Sequence, residues 1–127
     1  MIQTIDALGR FFGGFGLPVY PEDSVPEVDT AGNKVNPPYI TVQIVEPAWR
    51  DSAPFYARVW YRSENSRGIA KKVDEIKAAI GEGVSVETDS GAIWIFQGAP
   101  FAQFQPMAGD TTLKCAYLNM IMHALTE

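Results

Sequence analysis

The chain has 127 residues and a mass of 14.0 kDa, with 46 % apolar and 20 % charged residues, a composition that excludes intrinsic disorder and suits one globular domain. Ten lysines and arginines against fifteen acids give a net charge of −5, while a single cysteine and a single histidine exclude a disulfide framework and a Cys/His zinc centre within one chain. No apolar run nears the ~20 residues of a bilayer span, and Met1-Ile2-Gln3-Thr4-Ile5-Asp6 lacks the basic-then-apolar plan of a signal peptide, so a soluble, reduced, non-secretory protein is expected.

The first element reads as a helix. Met1, Ile5, Leu8 and Phe12 recur at helical spacing and place one apolar stripe on one face, and Gly13-Gly14-Phe15-Gly16 ends it. Residues 18–38, with Pro18, Pro21, Pro26, Pro37 and Pro38 and an Ala31-Gly32-Asn33 turn signal, read as a long irregular loop. Tyr20, Val25, Val28 and Val35 among the prolines mark a loop that docks on something, either its own domain or a neighbouring subunit.

Ile40, Val42 and Ile44 alternate with Thr41 and Gln43, the period of a half-buried strand. Glu46 to Pro54 reads as a connection, because its prolines cannot donate to a ladder. A second strand starts at Phe55: Phe55, Ala57, Val59 and Tyr61 form a core-like face, and Tyr56, Arg58, Trp60 and Arg62 form the other. A second helix follows, capped by Asn65 or Ser66, with Ile69, Val73, Ile76 and Ile80 on its apolar face and Gly81 and Gly83 as its stop.

The last third is strand-like. Val84-Ser85-Val86 leads through the hairpin signal Asp89-Ser90-Gly91 to Ala92-Ile93-Trp94-Ile95-Phe96. Gly98-Ala99-Pro100 breaks that run, and Phe101 to Gln105 resumes it. Leu113 to Ala124 follows, with Cys115, Tyr117, Asn119, Ile121 and His123 on one face and Ala116, Leu118, Met120 and Met122 on the other. The expected order is helix, two strands, helix and about four strands. That order predicts a single α+β domain over residues 1–127, with an antiparallel sheet of five to six strands and two helices packed on one face.

Charge is unevenly placed. Residues 1–49 and 78–127 each carry a net −4, whereas residues 50–77 carry +3. One basic stretch in an acidic chain does not make the extended cationic surface of a general nucleic-acid binder, but it suits charge-matched neighbours. No catalytic constellation emerges. Asp89-Ser90-Gly91 is what a hairpin turn selects, and the glycines at 13–16 close a helix rather than open one, so they are no phosphate cradle. Cys115 and His123 stand roughly 26 Å apart on one strand and cannot share a metal. Glu22/Asp23 and Asp74/Glu75 specify no acid–base pair. No catalytic residue, cofactor or metal ligand is therefore expected. The alternating Tyr56, Arg58, Trp60, Arg62 face is the best-defined feature, and with Tyr20, Val25 and Val28 it forms the candidate subunit or partner interface. The same residues also suit a sheet face half covered by another element, with the arginines reaching outward to water, and stacking on single-stranded nucleic acid is their weakest use.

The short N-terminal helix ending in Gly-Phe-Gly-Leu-Pro-Val-Tyr and the strand Pro38-Tyr39-Ile40-Thr41-Val42 open a layout that continues through most of the chain. It runs on through the strand Phe55–Ser63, the helix Val73–Gly81 and the hairpin around Gly91-Ala92-Ile93-Trp94. This layout resembles the tail-terminator and minor structural neck proteins of long-tailed bacteriophages. The resemblance implies a non-enzymatic virion protein that forms a ring of six subunits at the head-proximal end of the tail tube. Such a ring ends tube polymerisation and presents a surface to the completed head. Its implied partners are itself, the tail tube protein and a head-completion protein, with DNA only as cargo passing through the lumen and no membrane contact. Its implied place is the tail–neck junction of the virion, and the host cytoplasm during assembly. A head-completion or minor capsid role, or a small monomeric protein-binding module, are the alternatives.

Overall fold

The structure, a computed structural model, describes residues 1–105, 107 and 109–125. Its elements are α1 (Ile2–Gly13), β1 (Val19–Pro21), β2 (Tyr39–Val42), β3 (Ser52–Arg62), α2 (Arg67–Ile80), β4 (Val84–Thr88), β5 (Gly91–Gln105) and β6 (Leu113–Ala124). The six strands make one sheet in the order β1-β2-β3-β6-β5-β4, with β1 parallel to β2 and every other pair antiparallel. The expected α+β class holds. None of the described helices is long and apolar enough to cross a membrane.

Alternation along the central strands builds the core. Phe55, Ala57 and Val59 of β3, Leu118, Met120 and Met122 of β6, and Ile93 and Ile95 of β5 are buried in one cluster. Ala7, Leu8 and Phe12 of α1 and Ile69, Val73, Ile76 and Ile80 of α2 join the same cluster. Each large aliphatic side chain so buried contributes roughly 1.5–3 kcal/mol. α2 lies against β3, β5 and β6, whereas α1 touches both edge strands, β1 and β4, so the sheet curls around it. Asn65, rather than Ser66, supplies the side-chain cap of α2: its Oδ1 accepts from the Arg67 N–H at 3.0 Å.

Four local expectations need correction. The buried face of α1 is Thr4, Ala7, Leu8 and Phe12, while Met1 and Ile5 are exposed, because the curled sheet meets the helix on a face rotated from the Met1–Ile5 line. Residues 18–38 are not irregular throughout, since Val19–Pro21 pairs with Ile40, Thr41 and Val42 as a parallel edge strand. β3 starts at Ser52, so Pro54 lies inside the strand, opposite Ile121. Finally, Gly98-Ala99-Pro100 does not end β5. The strand runs on through a register shift between Gln97 and Ala102, and Asn119 lies so close to Gly98 that a Cβ there would meet its carbonyl oxygen at 2.9 Å.

Candidate interaction surface

Because side chains alternate along a strand, Tyr56, Arg58 and Trp60 point away from the core cluster. The register sets Arg58 opposite Thr41 on β2 and opposite Tyr117 on β6. Arg58 thereby enters an aromatic cage. Its guanidinium carbon lies 5.1 Å from the ring centroid of Tyr117, 5.4 Å from that of Tyr56 and 6.0 Å from that of Trp60. Tyr56 and Tyr117 stack at 4.6 Å. Trp60 Nε1 donates to Thr41 Oγ1 at 3.0 Å, which satisfies a buried hydroxyl. Tyr39 lies beside Trp60, and Tyr20 meets Tyr39 edge-on at 5.8 Å.

Glu22 clips onto this cage. Its N–H donates to Val42 O at 3.0 Å, extending the β1–β2 pairing, and its carboxylate approaches Arg58 Nη1 at 3.0 Å. Both side chains are about three-quarters covered. The contact is a charge pair rather than an aligned hydrogen bond: neither Glu22 Oε1 nor Arg58 Nε has a hydrogen-bond partner among the described residues. Hydrogen bonding of the Tyr56 hydroxyl toward the Glu22 carboxylate, followed by burial, pushes its pKa up to about 12. The raised value favours the neutral phenol in the folded chain. The stabilisation is therefore complete below the ordinary tyrosine range near pH 10 and is lost as pH rises through about 12. A phenolate-absorbance titration should show one tyrosine ionising near pH 12, with that step absent in Tyr56→Phe. A titration in which Tyr56→Phe removes no step near pH 12 would contradict the Glu22 interaction.

The candidate residues thus divide into three groups. Tyr20, Tyr56, Arg58 and Trp60 belong to one connected cluster. Arg62 stands apart, 2.7 Å from Asp110 Oδ2, and the hydrogen bonds from Arg62 and Thr112 hold the Asp110 carboxyl well below the usual carboxylate range. Val25 and Val28 sit on a separate structure. Every residue from Asp23 to Lys34 is exposed, yet the segment is ordered as a small hairpin arm. Val28 bridges Lys34, Asp29 N donates to Asn33 O at 2.8 Å, and Val35 N donates to Glu27 O at 2.9 Å. The Asp29 carboxylate closes the turn by accepting from the N–H groups of Ala31 and Asn33, and Gly32 supplies the positive φ of 85°.

Glu22, Tyr39 and Tyr117 complete the cluster and were not among the residues singled out from the sequence. The parity of Tyr117 along β6 signals its outward face, but nothing local signals that Glu22 reaches Arg58. Further along the same outward face, Trp94 and Ile121 are exposed, with Phe96 6.0 Å from Trp94. The remaining reactive side chains are held structurally. Ser90 Oγ donates to Gln3, His123 Nδ1 lies 3.1 Å from Ser52 Oγ, and burial pushes the Cys115 thiol up to about 11. Among the described residues no group of three or more His, Cys, Asp and Glu side chains could hold a metal ion. Comparison with protein-family models finds no match to this chain, and no curated protein matches it.

Proposed function

We propose that this chain is a ring-forming structural subunit of a long-tailed bacteriophage, a tail terminator that caps the head-proximal end of the tail tube. The observation that carries the proposal is the presence of two unlike surface features on one small domain. One is the aromatic sheet face around Tyr56, Arg58 and Trp60, and the other is the exposed arm bearing Val25 and Val28. A ring subunit at such a junction meets its ring neighbours and a partner of another kind, so it needs more than one contact surface, whereas a two-fold dimer needs only one. The layout resembling tail-terminator proteins supports the same reading. The net charge of −5 suits a ring whose lumen passes DNA without holding it.

The proposal is tested by adding the purified chain to polymerising tail tube protein from the same phage. Tubes should stop at reduced length with a ring at one end in negative-stain micrographs. Tubes that elongate as in the chain's absence would contradict the terminator role, and co-sedimentation with completed heads alone would assign the chain to head completion instead.

A further inference from the structure

Among the described residues the arm has no covering partner, since each residue from Asp23 to Lys34 is exposed and its backbone bonds close within the hairpin or back to β1. An ordered protrusion with Val28 56 % exposed leaves apolar surface in water that an ordinary surface turn would avoid. Its charge is one-sided: Asp23, Glu27 and Asp29 stand against Lys34 alone.

The same chain carries a groove of the opposite character. A cavity of about 360 Å³ opens between the start of α2, the end of β5 and the start of β6, lined by Ser66, Phe104, Met107, Leu113, Lys114 and Cys115. Phe104 is 55 % exposed there, an aromatic ring on the rim of an apolar floor. Lys114 stands at the rim, Arg67 follows Ser66 at the first position of α2, and Lys71 lies one turn further along the helix, both of the latter exposed. Asp110, also at the rim, is paired to Arg62.

We infer that the hairpin arm of one subunit docks in the α2–β5–β6 groove of the next copy, with Val25 and Val28 against Phe104 and Leu113 and the arm carboxylates facing Arg67, Lys71 and Lys114. This inference rests on the ring reading and names its subunit contact. The occupant is a second copy because the two surfaces are complementary in charge and apolar character, and both lie on this chain. Matching the arm against another arm would instead set like charges together. A head-to-tail contact of this kind repeats around a closed ring and leaves the Arg58 cage outside it, available to a different neighbour.

Charge reversal with rescue tests the contact. One variant carries Asp23→Lys and Glu27→Lys, a second carries Arg67→Glu and Lys71→Glu, and a third combines all four. Asp29 is left in place because its carboxylate closes the turn. All four altered positions are exposed, so each variant should keep the wild-type unfolding midpoint. Self-association read by light scattering should weaken about tenfold or more in each of the first two variants and return to within about threefold of wild type in the third. Variants that assemble as wild type, or a combined variant that does not recover, would overturn the arm contact while leaving the ring reading to the tube-capping assay. A wild-type chain that keeps the mass of one subunit up to ~1 mM would also overturn it.

Discussion

Replacing Arg58 with methionine should destabilise the domain by about 2 kcal/mol and loosen the base of the arm, although methionine keeps the apolar stem that packs among the rings. The cost comes from Glu22, whose carboxylate would be left without its cation in a site where only 24 % of the side chain is exposed. A fully buried pair broken from one side costs about 3–5 kcal/mol, and partial exposure of both partners reduces that figure here. Glu22→Gln alone removes the same attraction but retains a neutral hydrogen-bonding head. The double variant should therefore lose less than the sum of the singles, by about 1 kcal/mol or more, in urea unfolding at neutral pH. Additive losses within about 0.5 kcal/mol would show that the 3.0 Å contact carries no coupling. Amide exchange in the arm should quicken in Arg58→Met, because Glu22 joins β1 to the arm and is the residue anchored on the sheet face.

Phe12→Ala should have the larger effect, a loss of about 3–5 kcal/mol in the same unfolding measurement. Phe12 is 0 % exposed at the last turn of the helix around which the sheet curls, and its ring packs edge-on to Phe11 at 5.0 Å. The cavity left behind would be bounded by the core cluster that joins α1 to the sheet. Since a domain of this size is stable by only about 5–15 kcal/mol, the variant would approach the margin of folding. Ile5→Ala, on the stripe that periodicity assigns to the same face, should cost less than about 1 kcal/mol because Ile5 remains exposed. Equal losses at the two positions would contradict the observed rotation of the helix.

That pair of residues illustrates what was legible in the sequence. Periodicity identifies a helix at residues 2–13 but not the face that tertiary contacts select, because Thr4 and Ala7 are weakly hydrophobic and yet buried. The second helix was fully legible, with Ile69, Val73, Ile76 and Ile80 all buried, as was the alternation of β6. β1 was hidden for a physical reason: three residues ending in a proline, held by a parallel neighbour from 21 residues away, have no local signature. The continuity of β5 through Gly98 and Pro100 was hidden because a bulge reads locally as a break.

The interaction surface was legible in the same uneven way. Interleaved aromatic and arginine residues on β3 announced an outward face, and the structure gathers Tyr56, Arg58 and Trp60 there with Tyr39 and Tyr117. Pairing of the two arginines was not legible, since Glu22 and Asp110 approach them only through the folded chain. The basic character of residues 50–77 is displayed instead by exposed cations of α2, including Arg67 and Lys71. Loop 18–38 reads as a long irregular loop from its prolines, yet Asp29 and Gly32 fold its tip into the arm.

The proposed terminator role is most open to electron microscopy of long-tailed phage particles assembled with this chain as their terminator. Density for a ring of this subunit should lie between the last turn of the tail tube and the head. Complete particles in which the chain is absent from that junction would contradict it.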